Sequence, residues 1–124
     1  MALTLVDTSS WVHALRPAGD LAVTGRVRAL LESGEAAWCP MVRLELWNGA
    51  RGARERRVLT ELSAEIRDLP IDLAVWQTAI ELAQRVRSHG QALPATDLLI
   101  LACARRHGTA LEHADAHLAG ASSL

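Results

Sequence analysis

Lysine, phenylalanine and tyrosine are missing from this chain of 124 residues, and cysteine and methionine occur only twice each. Without Phe or Tyr, the core has to be packed from aliphatic side chains and four tryptophans. Without Lys, all 13 basic residues are arginines, so any phosphate contact would use a guanidinium, which can hold two oxygens at once. Cys39 and Cys103 lie far apart, each among apolar residues, which predicts reduced, buried thiols rather than a disulfide-stapled secreted scaffold. Long hydrophobic runs are also lacking. The stretch Leu98–Ala104 falls far below the ~20 residues that span a bilayer. The short apolar run after Met1 is broken by Asp7, which does not fit a signal peptide. These absences predict a soluble, cytoplasmic protein with no membrane partner. The formal net charge of -1 selects no class of partner.

What is present suits one folded domain over residues 1–124, large enough to bury roughly two-thirds of its unfolded surface. Short strands alternate with helices. Leu3–Val6 reads as a buried strand, and Ser9–Leu15 as a helix broken by Pro17-Ala18-Gly19. Asp20 caps a helix running to about Ser33, with Val23, Val27, Leu30 and Leu31 on one face. Ala36–Cys39 reads as a second strand. Pro40 opens a helix to about Asn48, and a charged helix follows from about Ala53 to Arg67. Leu69–Ile71 is the expected third strand. Asp72 caps a helix with Trp76, Ile80, Ala83 and Val86 at helical spacing, ended by Gly90. Pro94 opens another through Ala104, and Thr109–Leu111 reads as the last strand. The tail Ala116–Leu124 has a weak pattern. This alternation predicts an α/β fold, a parallel sheet with helices on both faces, whose ligand site lies at the carboxyl ends of the strands.

Most of the 14 acids belong to solvated helix faces, as Glu55, Glu61 and Glu65 do. Four do not. Asp7 ends the first strand, on the parity of Leu3 and Leu5. Glu45 has Met41 and Val42 at i-4 and i-3 and Gly49 at i+4, beside apolar surface. Asp97 shares its helical face with Ile100 and Leu101, and Asp115 follows the last strand. Each has an ordinary alternative as a turn, cap or helix-start residue. Together, however, two strand ends and two half-apolar helix faces carry acids. Carboxylates converging in one pocket repel one another and lose hydration, and a divalent cation relieves both costs. An oxygen-only donor set favours Mg²⁺ or Mn²⁺ over zinc. Such an ion can lower the pKa of a bound water for attack on a phosphodiester. The hydroxyls of Thr8 and Ser9 can position water or phosphate, or cap the helix that starts there.

The segments Val6-Asp7-Thr8-Ser9-Ser10-Trp11, Arg43-Leu44-Glu45-Leu46-Trp47-Asn48-Gly49, Pro94-Ala95-Thr96-Asp97-Leu98-Leu99-Ile100-Leu101-Ala102 and Asp115-Ala116-His117-Leu118 resemble, in order and spacing, the motifs of PIN-domain proteins, and in particular the VapC toxins of bacterial toxin–antitoxin pairs. The resemblance covers nearly the whole chain. It implies a three-layer α/β/α sandwich with a short parallel sheet, and a Mg²⁺- or Mn²⁺-dependent endoribonuclease acting on RNA, often structured RNA such as tRNA. It also implies a VapB-type antitoxin that blocks the site and a toxin homodimer. Carried over residue by residue, it makes Asp7, Glu45, Asp97 and Asp115 the catalytic metal-site acids, with Ser9 as a hydroxyl helper. The fourth motif departs from the family: His113 stands where Ser or Thr is usual, His117 where a further acid is common, and Leu118 where an aromatic usually follows.

Other readings fit some of the same residues. His113, Asp115 and His117 alternate at i, i+2, i+4, a spacing that suits a transition-metal site on a strand or, more simply, exposed histidines. Arg51, Arg54, Arg56 and Arg57, and the pair Arg105 and Arg106, suit either an RNA-phosphate patch or solvated helix faces. Trp11, Trp38, Trp47 and Trp76 read as core or partner contacts, with Trp47, beside Glu45, the one to test against an antitoxin. A receiver-like phosphoacceptor module also clusters acids at strand ends, but it needs a late lysine, and there is none. A catalytically silent PIN-like interaction domain and a housekeeping RNA-processing PIN nuclease are the alternatives within the family.

Overall fold

A computed structural model describes residues 2–121 and 124. Strand β1 (Thr4–Val6) leads through helices α1 (Thr8–Leu15) and α2 (Leu21–Ser33) to β2 (Ala36–Trp38). Helices α3 (Pro40–Asn48) and α4 (Gly52–Glu65) lead to β3 (Arg67–Asp68). Helices α5 (Leu73–Ser88) and α6 (Ala95–Arg106) return to β4 (Ala110–Glu112), followed by α7 (Ala116–Ala121). The strands form one parallel sheet in the order β3-β2-β1-β4. The first two crossovers move one way across the sheet and the third returns over its full width. Right-handed connections therefore place α2 and α4 on one face and α5 and α6 on the other, the three layers expected. The direction changes between β1 and β4, so the open crevice lies at their carboxyl ends.

Local chemistry explains why these elements form. Asp20 and Asp72 each accept a hydrogen bond from the backbone N–H three residues on, Val23 at 3.1 Å and Val75 at 3.0 Å. Gly34 ends α2 in the left-handed conformation, φ 73°, which suits glycine best. Both faces of the sheet are covered, so Leu5, Val6 and Ala37 are completely buried. Helix α6 is apolar all round: every residue from Leu98 to Ala104 is buried, with α5, α3 and β4 packed about it. In place of Phe and Tyr, Trp11 and Trp38 fill the core as a tilted pair with ring centroids 5.6 Å apart. Cys39 and Cys103 are buried free thiols, as expected.

Three expectations are corrected. The third strand is Arg67–Asp68, not Leu69–Ile71, and α4 stops at Glu65, because β2 pairs with β3 at Ala37–Arg67 and Trp38–Asp68. The tail is not weakly structured: α7 forms and anchors itself through the fully buried Leu118 and Ala121. Its residues 122 and 123 lie outside the described residues. Helix α5 buries Val75, Ala79, Leu82 and Val86, leaving Trp76 51% and Ile80 59% exposed. Two apolar stripes run side by side on that helix, and packing against α6 selects the other one. No helix among the described residues is long and apolar enough to cross a membrane.

Candidate active site

The end of β1 runs directly into the crevice. Asp7 is only 3% exposed, and it is kept there by its role as N-cap of α1. Its Oδ2 accepts from the Ser9 backbone N–H at 3.2 Å and from the Ser9 hydroxyl at 2.6 Å. The positive end of the helix partly offsets the cost of burying the charge. Its other oxygen, Oδ1, is buried with no hydrogen-bond donor among the described residues. Ser9 also works in the other direction. Its Oγ accepts the Ala114 backbone N–H at 3.0 Å, tying the start of α1 to the loop that carries Asp115. Thr8 reaches the opposite way and donates to Glu45 Oε1 at 2.7 Å, which orients the half-buried α3 carboxylate.

Asp97, in the first turn of α6, faces the same crevice. Its pKa is pushed up to about 6, first by burial and then by the negative charges of Asp7 and Asp115, a hydrogen bond with Asp115, and the charge of Glu45. The other three acids singled out in the sequence therefore all act on Asp97, although the four come from β1, α3, α6 and the loop after β4. For Asp115, burial acts upward, but the His117 backbone N–H, the His117 ring and the bond with Asp97 together hold the carboxyl below its ordinary value. The His117 N–H lies 2.8 Å and its Nδ1 3.3 Å from Asp115 Oδ1. The bond between the two aspartates thus acts in opposite directions, raising the Asp97 carboxyl and lowering that of Asp115.

The alternating His113, Asp115 and His117 do not share a strand face. β4 ends at Glu112 and α7 begins at Ala116, so 113–115 is a loop, and His117 serves Asp115 as a hydrogen-bond donor.

Among the described residues, no group of three or more His, Cys, Asp or Glu already converges tightly enough to hold an ion. The fit to a divalent cation rests on other features. These are a buried carboxylate oxygen without a donor, a second aspartate whose proton is retained more tightly because of burial and its acidic neighbours, and a donor set of hard oxygens.

Sequence reasoning missed Glu112. At the end of β4, its carboxylate accepts the buried Ser10 hydroxyl at 2.8 Å and the Arg26 guanidinium at 2.7 Å, while its carbonyl accepts the Asp7 N–H at 2.8 Å. It clamps β4 to α1 and α2 and so sets the distance from β1 to the Asp115 loop. The available signal was an acid closing an apolar strand three residues before Asp115.

Against known proteins, the PIN domain family model matches residues 4–122. Ribonuclease VapC11 of Mycobacterium tuberculosis is 32% identical over 118 residues, covering 92% of this chain and 87% of the relative. The structure of FitAB bound to an IR36 DNA fragment superposes with a TM-score of 0.76 at 20% identity, over 98% of this chain and 92% of that one. VapBC-5 of Mycobacterium tuberculosis, a member of the VapBC family of toxin–antitoxin systems, superposes with a TM-score of 0.69 at 20% identity, over 97% and 90%. These two structural likenesses bear on the fold.

Proposed function

This chain belongs to the PIN-domain family, among the VapC ribonucleases, and from that premise we propose that it is the RNA-cleaving toxin of a toxin–antitoxin pair whose active site is the crevice at Asp7, Glu45, Asp97 and Asp115. The observation that supports this site best is that acids from three other stretches of chain bear on the ionisation of Asp97 at the switch point of the sheet. The ion would be Mg²⁺ or Mn²⁺, held by these four carboxylates. When bound, such an ion supplies an activated water and neutralises charge on the phosphodiester.

The chain's own residues do the rest. Asp7 Oδ1 is held ready by the Ser9 bonds to Oδ2, so its orientation is set in advance. Thr8 fixes the Glu45 carboxylate in the same way. Asp97 gives up its proton more readily when positive charge enters the crevice. His117 keeps Asp115 ionised and restrains its rotation. Ser9 links the first and last acids through Ala114, so a shift at either end is felt by the other.

Structured RNA, such as tRNA, is the substrate class this reading favours. A VapB-type antitoxin is the partner, and Trp47, 40% exposed on α3 two residues after Glu45, is its proposed contact, with the 62% exposed Leu44 nearby in the chain. A second copy of the toxin is the further partner. The purified protein should cut RNA when Mg²⁺ or Mn²⁺ is added and stop when the metal is chelated, and Asp7→Asn and Asp97→Asn should each abolish cutting. If the pure protein cuts no RNA with either metal, the enzymatic reading falls.

A further inference from the structure

Glu45 has a second side. It also lines a small cleft of about 30 Å³ between α1 and the α3–α4 turn, whose largely apolar lining includes Leu15 and Leu46. Arg16 and Glu55 stand on its wall. The same two residues also line an adjoining trough of about 420 Å³, where Arg51 and Arg54 join them. Glu45 thus belongs both to the acid crevice and to a cleft that shares Arg16 and Glu55 with a surface carrying three arginines.

These arginines differ from several others in the chain. Arg26 is tied to Glu112, and Arg43 to Asp68 at 2.8 Å. Among the described residues, Arg51 and Arg54 have no carboxylate within ion-pair distance of their guanidinia, and both residues are exposed. Arg16 is held by Glu55 at 3.5 Å, and Glu55 also accepts the Arg51 backbone N–H. Arg51, Arg54 and Glu55 fall at i, i+3 and i+4 and line the trough, whereas Arg56 and Arg57 are not among the residues lining it. The turn that presents this face needs glycine at Gly52, φ 85°.

A polyanion approaching four acids is repelled unless positive charge lies along its path, and the net charge of -1 supplies none in bulk. We infer that Arg51 and Arg54, with Arg16 behind them, form a track for the phosphates of RNA on one side of the scissile bond, leading the strand from the acid crevice past Glu45 and along the α1–α4 trough. This rests on the ribonuclease reading above and adds to it the direction in which the strand leaves. Guanidinia are well suited to such a track because each can bind two phosphate oxygens, and contacts of this kind position a strand without reading its sequence. Glu55 moderates the track by neutralising Arg16.

The test is fluorescence anisotropy of a fluorescein-labelled single-stranded RNA of about 12 nucleotides, bound to the whole protein carrying Asp7→Asn so that nothing is cut. Each phosphate contact on a single strand contributes about 0.7 to the salt slope. Adding Arg51→Gln and Arg54→Gln should flatten the slope by about 1.4 and weaken binding at least about tenfold near 0.1 M salt. Glu55→Gln should do the reverse and tighten binding several-fold. Arg56→Gln with Arg57→Gln removes the same charge away from the trough and should change the slope far less.

Equal effects from both arginine pairs, or an unchanged slope in the first, would each overturn the track. Cleavage by the otherwise unaltered protein is measured in parallel. Binding that depends on Arg51 and Arg54 without any cleavage sustains the track and removes the nuclease reading. Cleavage with binding indifferent to them does the opposite.

Discussion

Replacing Asp97 by Asn should destroy catalysis and at the same time stabilise the metal-free protein. Moving a carboxyl from its ordinary 3.8 to about 6 means that ionising it in the folded protein costs on the order of 3 kcal/mol more than in the unfolded chain. The group is only partly buried, so solvent screening brings this to roughly 1–2 kcal/mol. The sign follows from proton counting. Between pH 4 and 6 the folded state holds more protons than the unfolded state, so this group's contribution is fully present at low pH and lost as pH rises through about 6. Asn stays neutral throughout and can still donate to Asp115.

Urea or thermal unfolding in chelator should therefore show wild type and Asp97→Asn converging near pH 4. At pH 8 the variant should be ahead by about 1–2 kcal/mol, or roughly 4–8 °C in Tm for a domain of this size. Added Mg²⁺ should reverse the order. At a hundredfold excess over its Kd the ion would stabilise wild type by about 2.7 kcal/mol and the variant hardly at all. If the variant is less stable than wild type at pH 8 in chelator, or if the gap between them does not depend on pH, then burial and the acids around Asp97 do not raise its carboxyl, and the reasoning fails.

Thr8→Val should lower metal affinity or activity by about 10- to 100-fold, because Glu45 loses the donor that orients it, and Thr8→Ser should restore most of it. Asp20→Ala, far from the crevice, should cost about 1 kcal/mol of stability through the lost cap on α2 while leaving turnover per folded molecule intact, as read by unfolding and kinetics together. Trp47→Ala should weaken capture of the cognate antitoxin by about 2 kcal/mol or more in calorimetry, with RNA cleavage by the free toxin retained.

The elements are legible in the sequence wherever a local rule dominates. Asp20, Asp72 and Pro40 mark their helices because capping and proline geometry act within a few residues of chain. Asp7, Glu45, Asp97 and Asp115 stand out because an acid at a strand end or on an apolar face conflicts with its surroundings, and conflict of that kind is visible in a single sequence. The third strand is displaced from its expected place because Leu69–Ile71 carries the apolar pattern, whereas the pairing with β2 uses the exposed Arg67 and Asp68. Helix α7 escapes local pattern because six residues of weak periodicity do not make a helix alone; burial of Leu118 does.

What the sequence determined, then, is the alternation of strand and helix, the arginine-only basic set, and which acids are out of place, since each depends on neighbours along the chain. Tertiary structure decided the rest. It chose Val75 over Trp76 as the buried stripe of α5, recruited Glu112 as the clamp between β4, α1 and α2, and pushed the Asp97 carboxyl upward through burial and the three other acids. It also set Arg51 and Arg54 along the trough that adjoins the cleft at Glu45. These outcomes depend on distances between residues far apart in the chain, which the order β3-β2-β1-β4 sets and which local pattern does not encode.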